Sequence, residues 1–379
     1  MTRSEGDTES LLPSGSRGDA SPSNVIAMTK EQVATATIRF TVLLMLMLQN
    51  ASHALLTRYS QGILKESYSS TEVVLVSEII KMCVAGYLTM RDKTETDAVG
   101  RGFSKLWWLA VNSKKVIVLV ILYSTANILA YYALERVEAS VYTVTLQLKI
   151  ITTAVFAIII IGRHISATKW RALLLLVVGC VLVASPAFNK DSCDGGSAAS
   201  GDSSEVSEES EAQNRLDTLV GVACIFAMVA ISGYSAIYFE NMLKRSNEHI
   251  TIWERNFQLA LFSIIFLVAV VVGESMQDGA EMHEVHSGMF QGWTTLAVVI
   301  SIVQALGGLL VAATLKYADA ILKTLATSGA IVISAVLNWM LLGGTLDMFV
   351  SMGCISTILA IFNYILDKEV PKQASHDSK

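Results

Sequence analysis

Residues 139–161 read ASVYTVTLQLKIITTAVFAIIII, an apolar and hydroxyl-rich run interrupted by one ionisable side chain, Lys149. About 20 such residues in helical form cross a hydrocarbon core of ~30 Å. An ammonium near the centre of that helix costs about 2.5–3.5 kcal/mol on insertion scales. To reach an interface it would have to extend about 15 Å along the axis, further than a lysine side chain reaches. Lys149 therefore faces the protein interior or water, beside Thr145 and Gln147.

Working outward, further apolar runs fall near residues 37–57, 71–90, 115–134, 168–187, 217–239, 253–273, 293–315, 318–342 and 346–366. With 139–162 they predict an all-α membrane protein of ten transmembrane helices. Composition agrees: hydrophobic residues make up 53%, charged residues only 16%, and the mean hydropathy is +0.51. A soluble domain carries nearer a quarter charged residues. The net charge of −5 comes largely from two loops and says nothing against an anionic ligand. Cys83, Cys180, Cys224 and Cys354 lie in apolar runs, where small buried thiols are expected. Cys193 stands alone in a polar loop, so neither a disulfide framework nor a metal site is expected, and no cofactor.

The expected organisation is a disordered tail over 1–33, a five-helix half over 34–187, an acidic loop over 188–216, a second half over 217–367 and a tail over 368–379. The first tail is rich in Ser, Gly, Asp and Glu and lacks the apolar surface to order itself. It shows no signal-peptide pattern, and its Leu11-Leu12 pair reads as a weak sorting signal. Lys and Arg gather in alternate loops: 91–115, 163–171 with Arg163, Lys169 and Arg171, and 240–252 with Lys244 and Arg245. The intervening loops 188–216 and 274–291 are acidic. Basic loops stay in the cytosol, which puts both termini there and the acidic loops in a lumen. An odd number of spans per half makes the second half enter from the opposite side, as in inverted-repeat transporters.

Lys323, in the ninth span, answers Lys149 in the fourth, and both are followed by small or hydroxyl residues. Two lysines facing one cavity repel unless an anion lies between them, and a phosphodiester or diphosphate supplies one. The alternative is internal pairing; Asp319, four residues before Lys323, is placed for it. Glu78 and Lys81 are three apart on one face of the second span and either neutralise each other or face a ligand. Tyr123 and Asn127 share a face of the third span, and Tyr142 lies seven residues before Lys149. These side chains suit either packing or the stacking and reading of a base. Glu240 and Arg255, at span ends, suit an interfacial or gating role. Gly233 after Ser232, and Gly307-Gly308, allow close helix approach. The sequon Asn50-Ala51-Ser52 lies inside the first span, out of reach of glycosylation.

Several dispersed motifs, in order, resemble the nucleotide-sugar transporter family, in the branch carrying UDP-galactose, UDP-N-acetylglucosamine and CMP-sialic acid. They are Ser77-Glu78-Ile79-Ile80-Lys81, the run from Ala139 to Ile150, Ser232-Gly233-Tyr234 through Glu240, Trp253-Glu254-Arg255-Asn256, and Gly307-Gly308 through Lys323. The resemblance covers roughly residues 36–367. It implies the drug/metabolite transporter fold, two inverted five-helix repeats in a Golgi membrane. The implied activity is exchange of cytosolic pyrimidine nucleotide-sugar for lumenal nucleoside monophosphate, with no catalytic residue. Its partners are those ligands and the lipid bilayer, with no nucleic acid and a possible homo-oligomer. The resemblance maps phosphate contacts onto Lys149 and Lys323. Base or ribose contacts fall on Tyr123, Asn127, Tyr142, Thr153, Ser232, Gly233 and Asn256, and sugar-proximal positions on Glu78 and Lys81. Two positions depart from the pattern: Ala126 replaces one of an amide pair, and Ala260 a tyrosine of the CMP-sialic acid branch. UDP-galactose is slightly favoured. The alternatives are a carrier of another phosphorylated solute and a polytopic glycosyltransferase. The acidic loop 188–216 has no Asp-x-Asp to support the enzyme.

Overall fold

The computed structural model describes residues 22–91, 102–184, 208–245, 250–278, 290, 292–344 and 346–367. Ten helical stretches are long and apolar enough to cross a membrane, and they fall on the ten hydropathy runs. In chain order the elements of the first half are α1 (Pro22–Thr57) with a π-helical turn (Arg58–Ile63), α2 (Ser70–Arg91), α3 (Phe103–Val111), α4 (Lys114–Arg136), α5 (Ala139–Leu146), α6 (Lys149–Phe156) with a π turn (Ala157–Ile161), and α7 (Ala167–Ala184). The second half comprises α8 (Glu208–Arg245), α9 (Ile252–Asp278), α10 (Thr295–Tyr317), α11 (Ala320–Leu342) and α12 (Met348–Leu366). No strand occurs among the described residues. The chain is an all-α, multi-pass membrane protein.

The apolar surface is outside. Ile121, Ile159, Phe226, Ile265, Leu341 and Phe362 are exposed, as side chains solvated by lipid tails are. Helix contacts instead bury many small and hydroxyl residues, such as Ala326, Ser328, Gly329 and Ala330 of α11. Without a hydrophobic drive between helices in lipid, association relies on such close approach. The tightest case is α7 on α12. A Cβ on Gly353 would stand 2.7 Å from the Val183 nitrogen and 2.8 Å from the Gly179 carbonyl, so backbone meets backbone there.

Helix neighbours follow a rule. α7 packs on α12, α2 on α9, α4 on α8, α1 on α10, α6 on α8, α1 on α11, α2 on α10 and α4 on α9. Exchanging each span of the first half with its counterpart in the second returns these eight pairs, whereas smaller contacts within the second half, such as α8 on α10, have no equal in the first. The long interfaces therefore lie between the halves.

Some details differ from the sequence expectations. α1 reaches back to Pro22, into the expected tail, and α8 begins at Glu208, inside the expected loop 188–216. The basic loop 91–115 contains α3, whose Phe103 and Trp107 are exposed while Leu109 is buried. That helix was too short to register as a span. Cys180 and Cys354 are buried, but Cys83 is exposed on the outer face of α2, where lipid is as apolar as a core. Leu11-Leu12, Cys193 and residues 368–379 lie outside the described residues.

Replacing Gly353 by Val should destabilise the protein by about 1–3 kcal/mol, the usual cost of overpacking. The readout is a lower melting temperature in detergent. An unchanged melting temperature would show that the α7–α12 contact is looser than described.

Candidate functional site

The fourth span is not one helix. α5 ends at Leu146 and α6 begins at Lys149. Between them the backbone tightens, with three-residue bonds from the amides of Gln147 to Val144, Leu148 to Thr145 and Ile150 to Gln147, each 3.1 Å. Threonines flank the change. Thr145 Oγ1 donates to the Val141 carbonyl at 2.8 Å, and Thr153 Oγ1 to the Lys149 carbonyl at 2.7 Å. Thr152 Oγ1 lies 3.2 Å from both the Lys149 and the Val229 carbonyl. Hydroxyls that bond back to the preceding turn bend helices and loosen the regular ladder. A Cβ on Gly233 of α8 would meet Thr152 Oγ1 at 2.7 Å and the Thr153 nitrogen at 3.0 Å, so α8 lies directly against the first turn of α6.

The side chain of Lys149 is exposed rather than part of the packed core, although Ile150 beside it is buried. Lys323, one turn into α11, is half-buried and within electrostatic reach of Lys149. Among the described residues no carboxylate pairs with either ammonium. Asp319 is engaged elsewhere: its Oδ1 accepts the Leu322 amide at 2.7 Å as the N-cap of α11, and its Oδ2 lies 3.0 Å from Arg163 Nη1. Internal pairing of Lys323 with Asp319 is therefore not what the structure shows.

Below the lysines, the end carrying the basic residues is clamped. Glu240 of α8 is fully buried. Its Oε1 accepts from Arg163 Nη2 at 2.6 Å and Lys244 Nζ at 2.8 Å, and its Oε2 accepts the Ala320 amide at 2.9 Å. Lys244 also donates to the Ala318 carbonyl, Arg245 to the Ile161 carbonyl at 3.2 Å, and Arg39 of α1 to the Tyr317 carbonyl at 2.9 Å. One carboxylate thus joins the end of the fourth span, the end of the sixth and the start of the ninth. These are the spans that carry Lys149, Gly233 and Lys323. Glu240 lies at a span end, as the sequence places it, and is buried between the halves. Arg163, read from sequence only as an orientation signal, is its partner from the other half.

The remaining candidates are spread around this centre. Tyr123 and Asn127 continue the inward stripe of α4 begun by the buried Val116 and Val120; Tyr123 packs on the main core and Asn127 is exposed. Tyr142 is half-buried and weakly bonded to Met228 Sδ at 3.8 Å. Thr153 is buried with its proton on the Lys149 carbonyl, which leaves only its lone pairs free. Ser232 is half-buried and Gly233 buried. Asn256 is fully buried; its Nδ2 donates to the Ile252 carbonyl at 3.0 Å, and its Oδ1 has no protein donor. Arg255 is buried and donates to Gln258 Oε1 at 3.1 Å. Glu78 and Lys81 form a 2.6 Å ion pair on α2, against Gly308 of α10 rather than against Lys149. An aromatic group escaped the sequence reading: Tyr234, beside Gly233, stacks on Tyr238 and meets Phe156 edge-on, with centroids 6.0 and 5.7 Å apart. The four-residue spacing of Tyr234 and Tyr238 was the available signal.

Truncating Glu240 to Ala should strand the positive charges of Arg163 and Lys244 and cost roughly 3–5 kcal/mol. Arg163→Ala should cost less, because the arginine is partly exposed and Lys244 still serves Glu240. Thermal melts of the two variants test the order, and equal losses would mean that Glu240 is not the hub.

The nucleotide-sugar transporter family model matches residues 34–365. A UDP-N-acetylglucosamine/UDP-N-acetylgalactosamine transporter of Caenorhabditis elegans is 30% identical over 89% of this chain and 96% of its own length. The human UDP-N-acetylglucosamine transporter is 32% identical, covering 91% and 99%. The bovine UDP-galactose translocator is 30% identical, covering 94% and 86%. A solved structure with 11% identity, covering 88% of this chain and 98% of its own, superposes with a TM-score of 0.57 and supports the fold alone. With matched sequence spanning all ten apolar helices, the chain belongs to the nucleotide-sugar transporter family.

Proposed function

We propose that this protein exchanges a cytosolic pyrimidine nucleotide-sugar for a lumenal nucleoside monophosphate, by alternating access, across a Golgi membrane. The observation that carries the proposal is the pair of ammonium groups of Lys149 and Lys323. They are within reach of each other's charge and have no described carboxylate to balance them. A ligand phosphate neutralises both, and the site binds it as a pair of point charges. Uridine is preferred to cytidine because the relatives named above carry UDP-linked sugars. UDP-galactose and UDP-N-acetylglucosamine both remain within that class.

Two inverted five-helix repeats fit the largest interfaces, which join the halves and map onto one another when the halves are exchanged. Such repeats rock against each other around a site near the midplane. The clamp of Glu240 with Arg163, Lys244 and Ala320 closes the basic, cytosolic end while Lys149 stays accessible. On this reading the carrier is open towards the lumen. In exchange, either ligand would have to occupy the lysines before the clamp moves from one end to the other.

Two measurements on purified protein in liposomes test this reading. Vesicles preloaded with UMP should take up labelled UDP-sugar many times faster than empty ones; equal rates would remove obligatory exchange. Lys149→Ala should insert normally yet lose at least about tenfold in transport, as expected for removing a charge-assisted bond worth 1.5–3 kcal/mol. Unchanged transport in that variant would refute the phosphate assignment.

A further inference from the structure

Away from the lysine pair and the clamp, the short helix α3 presents an aromatic stripe that the protein itself leaves uncovered. Phe103, Trp107 and Val111 are 82%, 71% and 63% exposed, and Trp108 at the edge of the stripe is 39% exposed. The first three recur every four residues and so share one face of the helix. The opposite face is held by the protein. Leu109 is buried, and Lys105 Nζ lies 2.5 Å from Glu254 Oε1. Gln258 Nε2 donates to the Leu109 carbonyl at 2.9 Å and to the Asn112 carbonyl at 3.3 Å. Arg255 Nη1 in turn donates to Gln258 Oε1 at 3.1 Å. These bonds to α9 fix which way α3 faces, and they turn the stripe outward.

The same bonds fix its level. Glu254 stands in the first turn of α9 and Gln258 one turn further in, at the basic end of that span. α3 has nine residues, which rise about 14 Å as a helix, less than half of the ~30 Å hydrocarbon core. It therefore lies beside the ends of the spans rather than across the membrane. Its neighbours there are lipid-facing. α3 packs on α2 and α9, and the last turns of α2 expose Tyr87 and Met90. Two residues separate α3 from α4, which starts with the exposed Lys114 and Lys115 and then exposes Ile117 and Val118. The stripe is continuous with the lipid-facing surface of the spans. Large apolar side chains scattered singly in water are ordinary, but a contiguous set is costly. At the boundary between headgroups and acyl chains the same set gains burial, and tryptophan is enriched there.

We infer that α3 is an interfacial helix. It lies in the leaflet at the basic end of the bundle, with Phe103, Trp107 and Val111 sunk about 5–10 Å into the boundary of headgroups and acyl chains. Lys114 and Lys115 then stand at the level of the lipid phosphates, as basic residues at span ends do. Through Lys105 and the carbonyls of Leu109 and Asn112, the helix moors the first turns of α9 to the membrane surface. The partner is the lipid surface, whatever solute the protein carries.

The test reads Trp107 as the fluorescence of the unmodified protein minus that of Trp107→Phe, both in phosphatidylcholine nanodiscs holding a single protein each. Both faces of such discs are open to solvent. Lipids brominated at the headgroup end of their acyl chains should remove most of this difference emission, and lipids brominated near the terminal methyl should remove less. Iodide in the solvent should quench it several-fold less than it quenches free tryptophan amide. Phe103→Trp, measured against the unmodified protein, adds a second reporter one turn away with the same expectation, and serves if the first substitution disturbs folding. Full quenching by iodide with none by either lipid overturns the inference, because the stripe then stands in water. A stripe that serves a second copy or another protein gives that same result, since neither is present in the disc. Stronger quenching by the deep bromines than by the shallow ones places the helix in the hydrocarbon core and overturns it too. Protection from all three quenchers means that the stripe is packed in protein, which is equally fatal to it.

Discussion

Two positive charges held close together in a low-dielectric interior, without fixed negative charges to balance them, set the terms for the rest of this molecule. The ammonium of Lys149 costs about 2.5–3.5 kcal/mol to place near a helix centre in the membrane on insertion scales. Two like charges in reach of each other in a medium less polar than water repel as well. A fold tolerates that only if the charges meet water or a travelling anion. The exposure of Lys149 within an apolar span fits this requirement.

The other ionisable groups show how the imbalance is preserved. Glu240 is taken by Arg163 and Lys244, Asp319 by Arg163 and the cap of α11, Glu254 by Lys105 at 2.5 Å, and Glu78 by Lys81. Each of these carboxylates is held by a cation other than Lys149 or Lys323. The same bonds brace the helices that carry the two lysines, so the clamp at the basic end and the electrostatics of the centre are one construction. The glycine contact from α8 brings its backbone against the first turn of α6, which Lys149 begins.

Much of this was legible in the sequence, for identifiable reasons. Apolar runs of membrane length are a strong signal, and each of the ten appears as a spanning helix. A charge within such a run is equally plain, which is why Lys149 stood out. The break at Gln147-Leu148 was not visible, because threonines in an apolar run promote helix or disruption according to which carbonyl they bond. The engagement of Asp319 was misjudged by sequence spacing. Four residues suggest a helical partner for Lys323, but Asp319 precedes the helix and caps it instead. Arg163 with Glu240, and Gln49 with the Val303 carbonyl, join residues far apart in the chain, and one sequence carries no trace of such contacts.

The most direct measurement is a structure of the protein with UMP bound, reading the distances from the phosphate oxygens to the two lysine ammonium nitrogens. The account expects both nitrogens within ordinary hydrogen-bond reach of the phosphate, roughly 3 Å. A phosphate bound elsewhere, with Lys149 and Lys323 each paired to a carboxylate or turned to lipid headgroups, would contradict it.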